Sequence, residues 1–192
     1  MRTTWRQQLP RLDASRMVFL DETWAKTNMS RTRGRALFGQ RLIEAVPHGH
    51  WSTTTILMGL RCEGVVAPMV IDGPINGEIF LDWVEKYLCA ELRPNDIVIL
   101  DNLSAHKVDG VAEAIKAAKA KIRYLPPYSP DLNPIELLFS KIKSMLRSEG
   151  NRTVETLWTS LGKIMNKIAP TECVNFIKHC GYKIFKLAAT AN

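Results

Sequence analysis

Three acidic residues stand where side chains can do chemistry. Asp21 follows the apolar run 17–20, Asp101 follows the apolar run 97–100, and Glu136 lies just inside a helix that opens after the proline-rich stretch 126–134. The Asp101-to-Glu136 gap is 34 residues, 102–135. Carboxylates at the ends of two buried strands, with a third on a later helix, can converge on one point. An unpaired charge beside a strand buried on both faces is expensive. A cluster of acids therefore needs cations, and Mg²⁺ takes oxygen ligands while keeping waters for a substrate. In a basic chain, such a trio points to divalent metals handling phosphate.

Each of the three also has a purely structural reading. Asp after a strand is favoured by turns. Asn133 as N-cap, Pro134 at the first helical position and Glu136 at the third form a variant capping box. What weighs against the structural readings is their coincidence in one chain.

The elements that must position these residues follow an α/β order. The 192 residues fit one domain with a sizeable core. Residues 1–16 are a polar lead-in with Trp5, Leu9 and Leu12 as docking points, and 17–21 is the first strand. Residues 22–51 form a basic segment, irregular or a loose hairpin, carrying Lys26, Arg31, Arg33, Arg35 and Arg41. Segments 53–60 and 65–71 read as a hairpin turning at Glu63-Gly64, followed by a helix from Asn76. Strand 97–101, helix 108–118 and strand 122–125 come next, then helices 134–147, 154–168 and 170–180. Thr153 is the expected N-cap of the second of these, and Pro170 suits the first turn of the third. This order predicts a mixed five-stranded sheet flanked by helices, with the first and fourth strands adjacent.

In the helix after the proline loop, Leu138, Phe139, Ile142, Met145 and Leu146 share a core face. Glu136, Ser140, Lys143 and Arg147 share the opposite stripe, which is either an ordinary solvated face or a cationic track for a DNA backbone. His106, five residues after Asp101, is either structural, a phosphate donor or a partner of the acidic site. Trp24 is either packing or a stacking surface, and the alternating His48 and His50 hint at zinc.

The net charge of +7 favours a polyanionic partner. No apolar run approaches the roughly 18 residues of a membrane span. The first 13 residues are polar and basic, unlike a secretory signal. Cys62, Cys89, Cys173 and Cys180 lack metal-ligand spacing and read as reduced core thiols of a cytosolic protein.

The blocks 20–24 (LDETW), 100–106 (LDNLSAH) and 127–136 (PYSPDLNPIE) resemble the three catalytic blocks of the mariner superfamily of DDE transposases. Segments 45–51 and 70–77 resemble its bacterial insertion-sequence branch, the insertion-sequence 630 type. The likeness runs from about Trp5 to about Tyr182, and the 34-residue gap is typical of the superfamily.

The resemblance implies a ribonuclease-H-like fold over 17–182, between the 1–16 lead-in and a 183–192 tail. It also implies a two-metal phosphoryl-transfer site with Asp21, Asp101 and Glu136 as ligands. Two Mg²⁺ are expected, with Mn²⁺ as substitute, and no covalent protein–DNA intermediate is needed. The implied partner is double-stranded DNA, both element ends and target, held by a homodimer in a synaptic complex in the bacterial cytoplasm. Arg31, Arg33, Arg35, His106, Lys143 and Arg147 are the expected DNA contacts. The family's usual helix-turn-helix region has no room before Met17, so the chain reads as a truncated copy or the downstream frame of a frameshifted element. Two other readings stay open: a noncatalytic DNA-binding remnant, and a nuclease of the same fold acting on RNA or RNA–DNA hybrid.

Overall fold

A computed structural model describes residues 1–185, without the side chains of Ser104 and Ala105. The expected 183–192 tail thus lies largely outside the described residues. Five strands form one sheet: β1 (Met17–Lys26), β2 (Thr53–Arg61), β3 (Gly64–Asp72), β4 (Ile97–Leu100) and β5 (Lys121–Tyr124). Their order is β3-β2-β1-β4-β5. β1 pairs antiparallel with β2 and parallel with β4, as expected of the first and fourth strands.

Successive side chains of β1 supply two cores because strand side chains alternate between faces. Met17 and Phe19 pack with α5 (Ile135–Glu149), α6 (Val154–Met165) and α7 (Pro170–His179) through residues such as Leu138, Phe139, Leu161 and Ile177. Val18 and Leu20 face Phe80 and Trp83 of α2 (Gly77–Trp83) and Ile115 of α4 (Val111–Ala117). Between these two, α2 continues through a π-helical turn, Val84–Leu88, into the short α3 (Cys89–Glu91).

β1 is longer than the apolar run predicts. Its second half pairs with β2 from Glu22↔Leu57 to Lys26↔Thr53. There the pattern alternates, with Thr23 and Ala25 buried and Trp24 exposed. Asp21 therefore lies within a strand rather than at its end. The loop between β1 and β2 is irregular and mostly exposed from Arg31 to Ser52, as its composition indicates. The hairpin turn falls at Cys62-Glu63, one residue earlier than expected, and Gly64 takes φ +154°.

The lead-in contains α1 (Arg2–Gln8), and Trp5 and Leu9 are buried against the α5–α7 side. Trp5 Nε1 donates to the Tyr182 hydroxyl at 3.2 Å, and that hydroxyl donates to the Leu132 carbonyl at 2.8 Å. The two ends of the described chain are thereby tied to the loop that precedes α5. Tyr182→Phe leaves both partners buried and unpaired, with an expected loss of about 1–3 kcal/mol in urea unfolding. An unchanged midpoint would show that this relay adds nothing.

Thr153 caps α6 as expected, accepting the Thr156 N–H at 3.2 Å. α5 stops at Gly150, whose φ of +66° is the left-handed cap that glycine adopts freely. The four cysteines are free thiols; Cys62, Cys173 and Cys180 are buried, Cys89 partly so. Among the described residues, no helix is long and apolar enough to cross a membrane.

Candidate active site

Asp21, Asp101 and Glu136 line one cleft of about 310 Å³, walled by the proline loop 125–130 and by Asn133. Strand register explains the first two. The β1/β4 pairing ends at Phe19↔Ile99, so two further steps bring Asp21 level with Asp101. Asp21 projects on the Met17/Phe19 side, where α5 packs and delivers Glu136 from its first turn.

Asp21 is 7% exposed. Its Oδ1 accepts the Glu22 N–H at 2.9 Å, and its Oδ2 accepts the Asn133 side-chain amide at 2.8 Å. Burial, followed by repulsion from Glu136, Glu22 and Asp101, pushes its carboxyl up to about 8. Glu136 is also raised, first by burial and then by Asp101, against the opposing pull of Lys143.

Asp101 behaves differently. Burial alone would raise its carboxyl, but hydrogen bonds from His106 and the Leu103 N–H hold it below the usual carboxylate value. His106 Nδ1 lies 2.6 Å from Asp101 Oδ1, and Nε2 lies 2.6 Å from Glu22 Oε2. The ring is 1% exposed and stacks on Phe80, with centroids 4.6 Å apart. Burial lowers its basicity, but the two carboxylates outweigh that and lift it to about 9. The imidazole is clamped between two carboxyl groups, an arrangement that favours its protonated form.

This arrangement corrects two expectations. His106 has no free donor for a DNA phosphate, because both ring nitrogens are engaged and the side chain is buried; it serves instead as the partner of Asp101. Asn133 does not cap α5, which lacks any side-chain cap; its amide turns inward to Asp21.

Sequence reasoning passed over Glu22, and strand alternation supplies the missing signal. A residue adjacent to Asp21 points to the opposite face of β1, the side occupied by Phe80 and the Ser104–Lys107 turn that carries His106.

Of the expected DNA contacts, Lys143 and Arg147 follow Glu136 along α5 and are half-buried. The Lys143 ammonium lies 4.6 Å from the centroid of the exposed Trp24 ring. Arg31 reaches the Ser148 carbonyl at 3.4 Å, while Arg33 and Arg35 are exposed in the β1–β2 loop. His48 and His50 lie in exposed, irregular chain rather than on a strand.

Among the described residues, no three His, Cys, Asp or Glu side chains are arranged to enclose a metal ion as they stand. The donor set of the cleft still fits one. Three carboxyl groups supply hard oxygen donors, the class suited to Mg²⁺ and Mn²⁺. Asp21 is disfavoured as an anion by its burial and then by the repulsion of Glu136, Glu22 and Asp101. A cation in the cleft would relieve that repulsion.

The Mos1 mariner paired end complex with Mn superposes with a TM-score of 0.76 at 19% identity, covering 93% of this chain and 56% of that one. The catalytic domain of Mos1 mariner transposase gives 0.64 at 14% identity, covering 95% and 91%. The Mos1 catalytic domain with Raltegravir and Mg gives 0.63 at 16% identity, covering 87% and 81%. These likenesses establish the ribonuclease-H-like fold, and the chain spans little more than half of the Mos1 chain in the paired end complex. No curated protein matches the sequence. The family model described as DDE superfamily endonuclease matches residues 16–159. The chain belongs to the DDE superfamily endonucleases.

Proposed function

We propose that this chain is the catalytic domain of a DDE transposase, spanning 17–182, which cuts DNA at the ends of a mobile element and joins the freed 3′-ends to target DNA. One observation carries the reading: acids from β1, from the end of β4 and from the first turn of α5 line a single cleft in a chain of this family. The resemblance of the blocks at Asp21, Asp101 and Glu136 and of segments 45–51 and 70–77 supports an element of the bacterial insertion-sequence 630 branch, acting in the cytoplasm. The similar Mos1 structures are paired end complexes, which supports a homodimer holding two double-stranded DNA ends.

Asp21, Asp101 and Glu136 are the residues that would hold two Mg²⁺, with Mn²⁺ as substitute. Bound there, the ions supply Lewis acidity to phosphoryl oxygens and lower the pKa of an attacking water. The chain's own residues do the rest. The His106 clamp fixes one oxygen of Asp101, and the proline loop stiffens the approach to Glu136. Lys143, Arg147 and the loop residues Arg31, Arg33 and Arg35 take the phosphates flanking the scissile bond, a contribution that weakens with salt.

The test is nicking of supercoiled plasmid in Mn²⁺ by the wild type beside Asp101→Asn. Nicking by the wild type alone is expected. Equal nicking by both would remove the acidic cleft from the reaction.

A further inference from the structure

Asn133 forgoes the role its position offers. It stands just before Pro134 and α5, where an asparagine side chain ordinarily accepts a backbone N–H. The side chain instead points into the fold and is 2% exposed. Its Nδ2 donates to Asp21 Oδ2 at 2.8 Å, and its Oδ1 is buried without a hydrogen-bond partner among the described residues. The fold therefore bears two costs at one residue, a missing helix cap and an orphaned buried acceptor. Polar groups left this way are uncommon, and each calls for a physical explanation.

The one contact made in return is with Asp21. That contact bridges β1 to the chain entering α5, because the Asn133 carbonyl also accepts the Glu136 N–H at 3.2 Å. A single residue thus touches the Asp21 carboxylate with its side chain and the Glu136 backbone with its carbonyl.

We propose that Asn133 is a positioning residue: its amide fixes the Asp21 carboxylate in the orientation from which Asp21 and Glu136 act together on a divalent cation. The inference rests on the acidic-site reading above. It assigns Asn133 no contact with DNA and no proton transfer.

The experiment measures Mn²⁺ binding by electron paramagnetic resonance on the DNA-free protein, alongside thermal melting. Three proteins are compared: the wild type, Asn133→Leu and Asn133→Ser. Leucine removes donor and orphan together at similar volume; serine offers α5 a capping hydroxyl but is too short to reach Asp21. Losing the donor to Asp21 offsets losing the orphaned acceptor, so both variants are expected to melt close to the wild-type temperature. Both are expected to bind Mn²⁺ about 10–100-fold more weakly, the usual cost of losing a group that orients a ligand. A purely structural role predicts the reverse, with stability lost and affinity kept.

Wild-type affinity in a folded Asn133→Ser protein overturns the inference alone and leaves the acidic site standing. Should the leucine variant lose its cooperative melt, the serine variant decides. Absence of Mn²⁺ binding by the wild type itself overturns the acidic-site reading, and this inference with it.

Discussion

Glu136→Gln is expected to slow plasmid nicking by about 10³-fold or more while leaving the melting temperature unchanged or slightly higher. The Glu136 side chain is largely exposed on the first turn of α5, with its carboxyl partly sheltered by the cleft, so its replacement opens no cavity. Glutamine keeps the shape and removes one of the charges that push Asp21 upward. Relief of that repulsion offsets the weaker attraction to Lys143, and surface changes of this kind usually stay within about 0.5 kcal/mol. Activity responds differently. Removing one member of a catalytic unit typically costs about 10²–10⁴-fold, because the remaining members cannot act without it. Initial nicking rates in Mn²⁺ and a thermal melt check both halves. Wild-type nicking would exclude Glu136 from the machinery, and a large loss of stability would give it a structural role.

The convergence of Asp21, Asp101 and Glu136 was legible in the sequence because each sits at a fixed offset from a strong pattern. Two follow runs of four apolar residues, and the third follows a proline loop whose Asn133-Pro134 pair favours a helix start. Adjacency of β1 and β4 came from the element order. What was not legible depends on partners far away in the chain. The second half of β1 reads as loop because Asp21 and Glu22 are poor strand formers, yet β2 supplies a full ladder out to Lys26. Asn133 carries the local signature of an N-cap, and a contact with a residue 112 positions away wins instead. Glu22 carries no local signal of its own; its role depends on His106, which is 84 positions away. In each case local propensity lost to a tertiary contact at or beside the acidic cleft, where conflict between stability and function is expected.

His106→Ala is expected to destabilise the fold by about 3–5 kcal/mol in urea unfolding and to abolish nicking with it. The imidazolium lies 2.6 Å from Asp101 and 2.6 Å from Glu22, and its own side chain is 1% exposed. Alanine leaves two carboxylates without the cation between them and removes the ring that stacks on Phe80. The Ser104–Lys107 turn then loses its tie to β1, and Asp101 Oδ1 keeps only the Leu103 N–H. Glu22→Gln should be milder, since the amide oxygen can still accept from Nε2 and one of the two opposing charges disappears. Combining Glu22→Gln with His106→Ala therefore costs less than the sum of the two changes, with a coupling of about 0.5–3 kcal/mol, as for residues in one buried network. Strict additivity would mean that Glu22 and His106 act independently. Wild-type stability in His106→Ala would mean that the clamp holds nothing, and Asp101 would then owe its orientation to the β4 register and the Leu103 N–H alone.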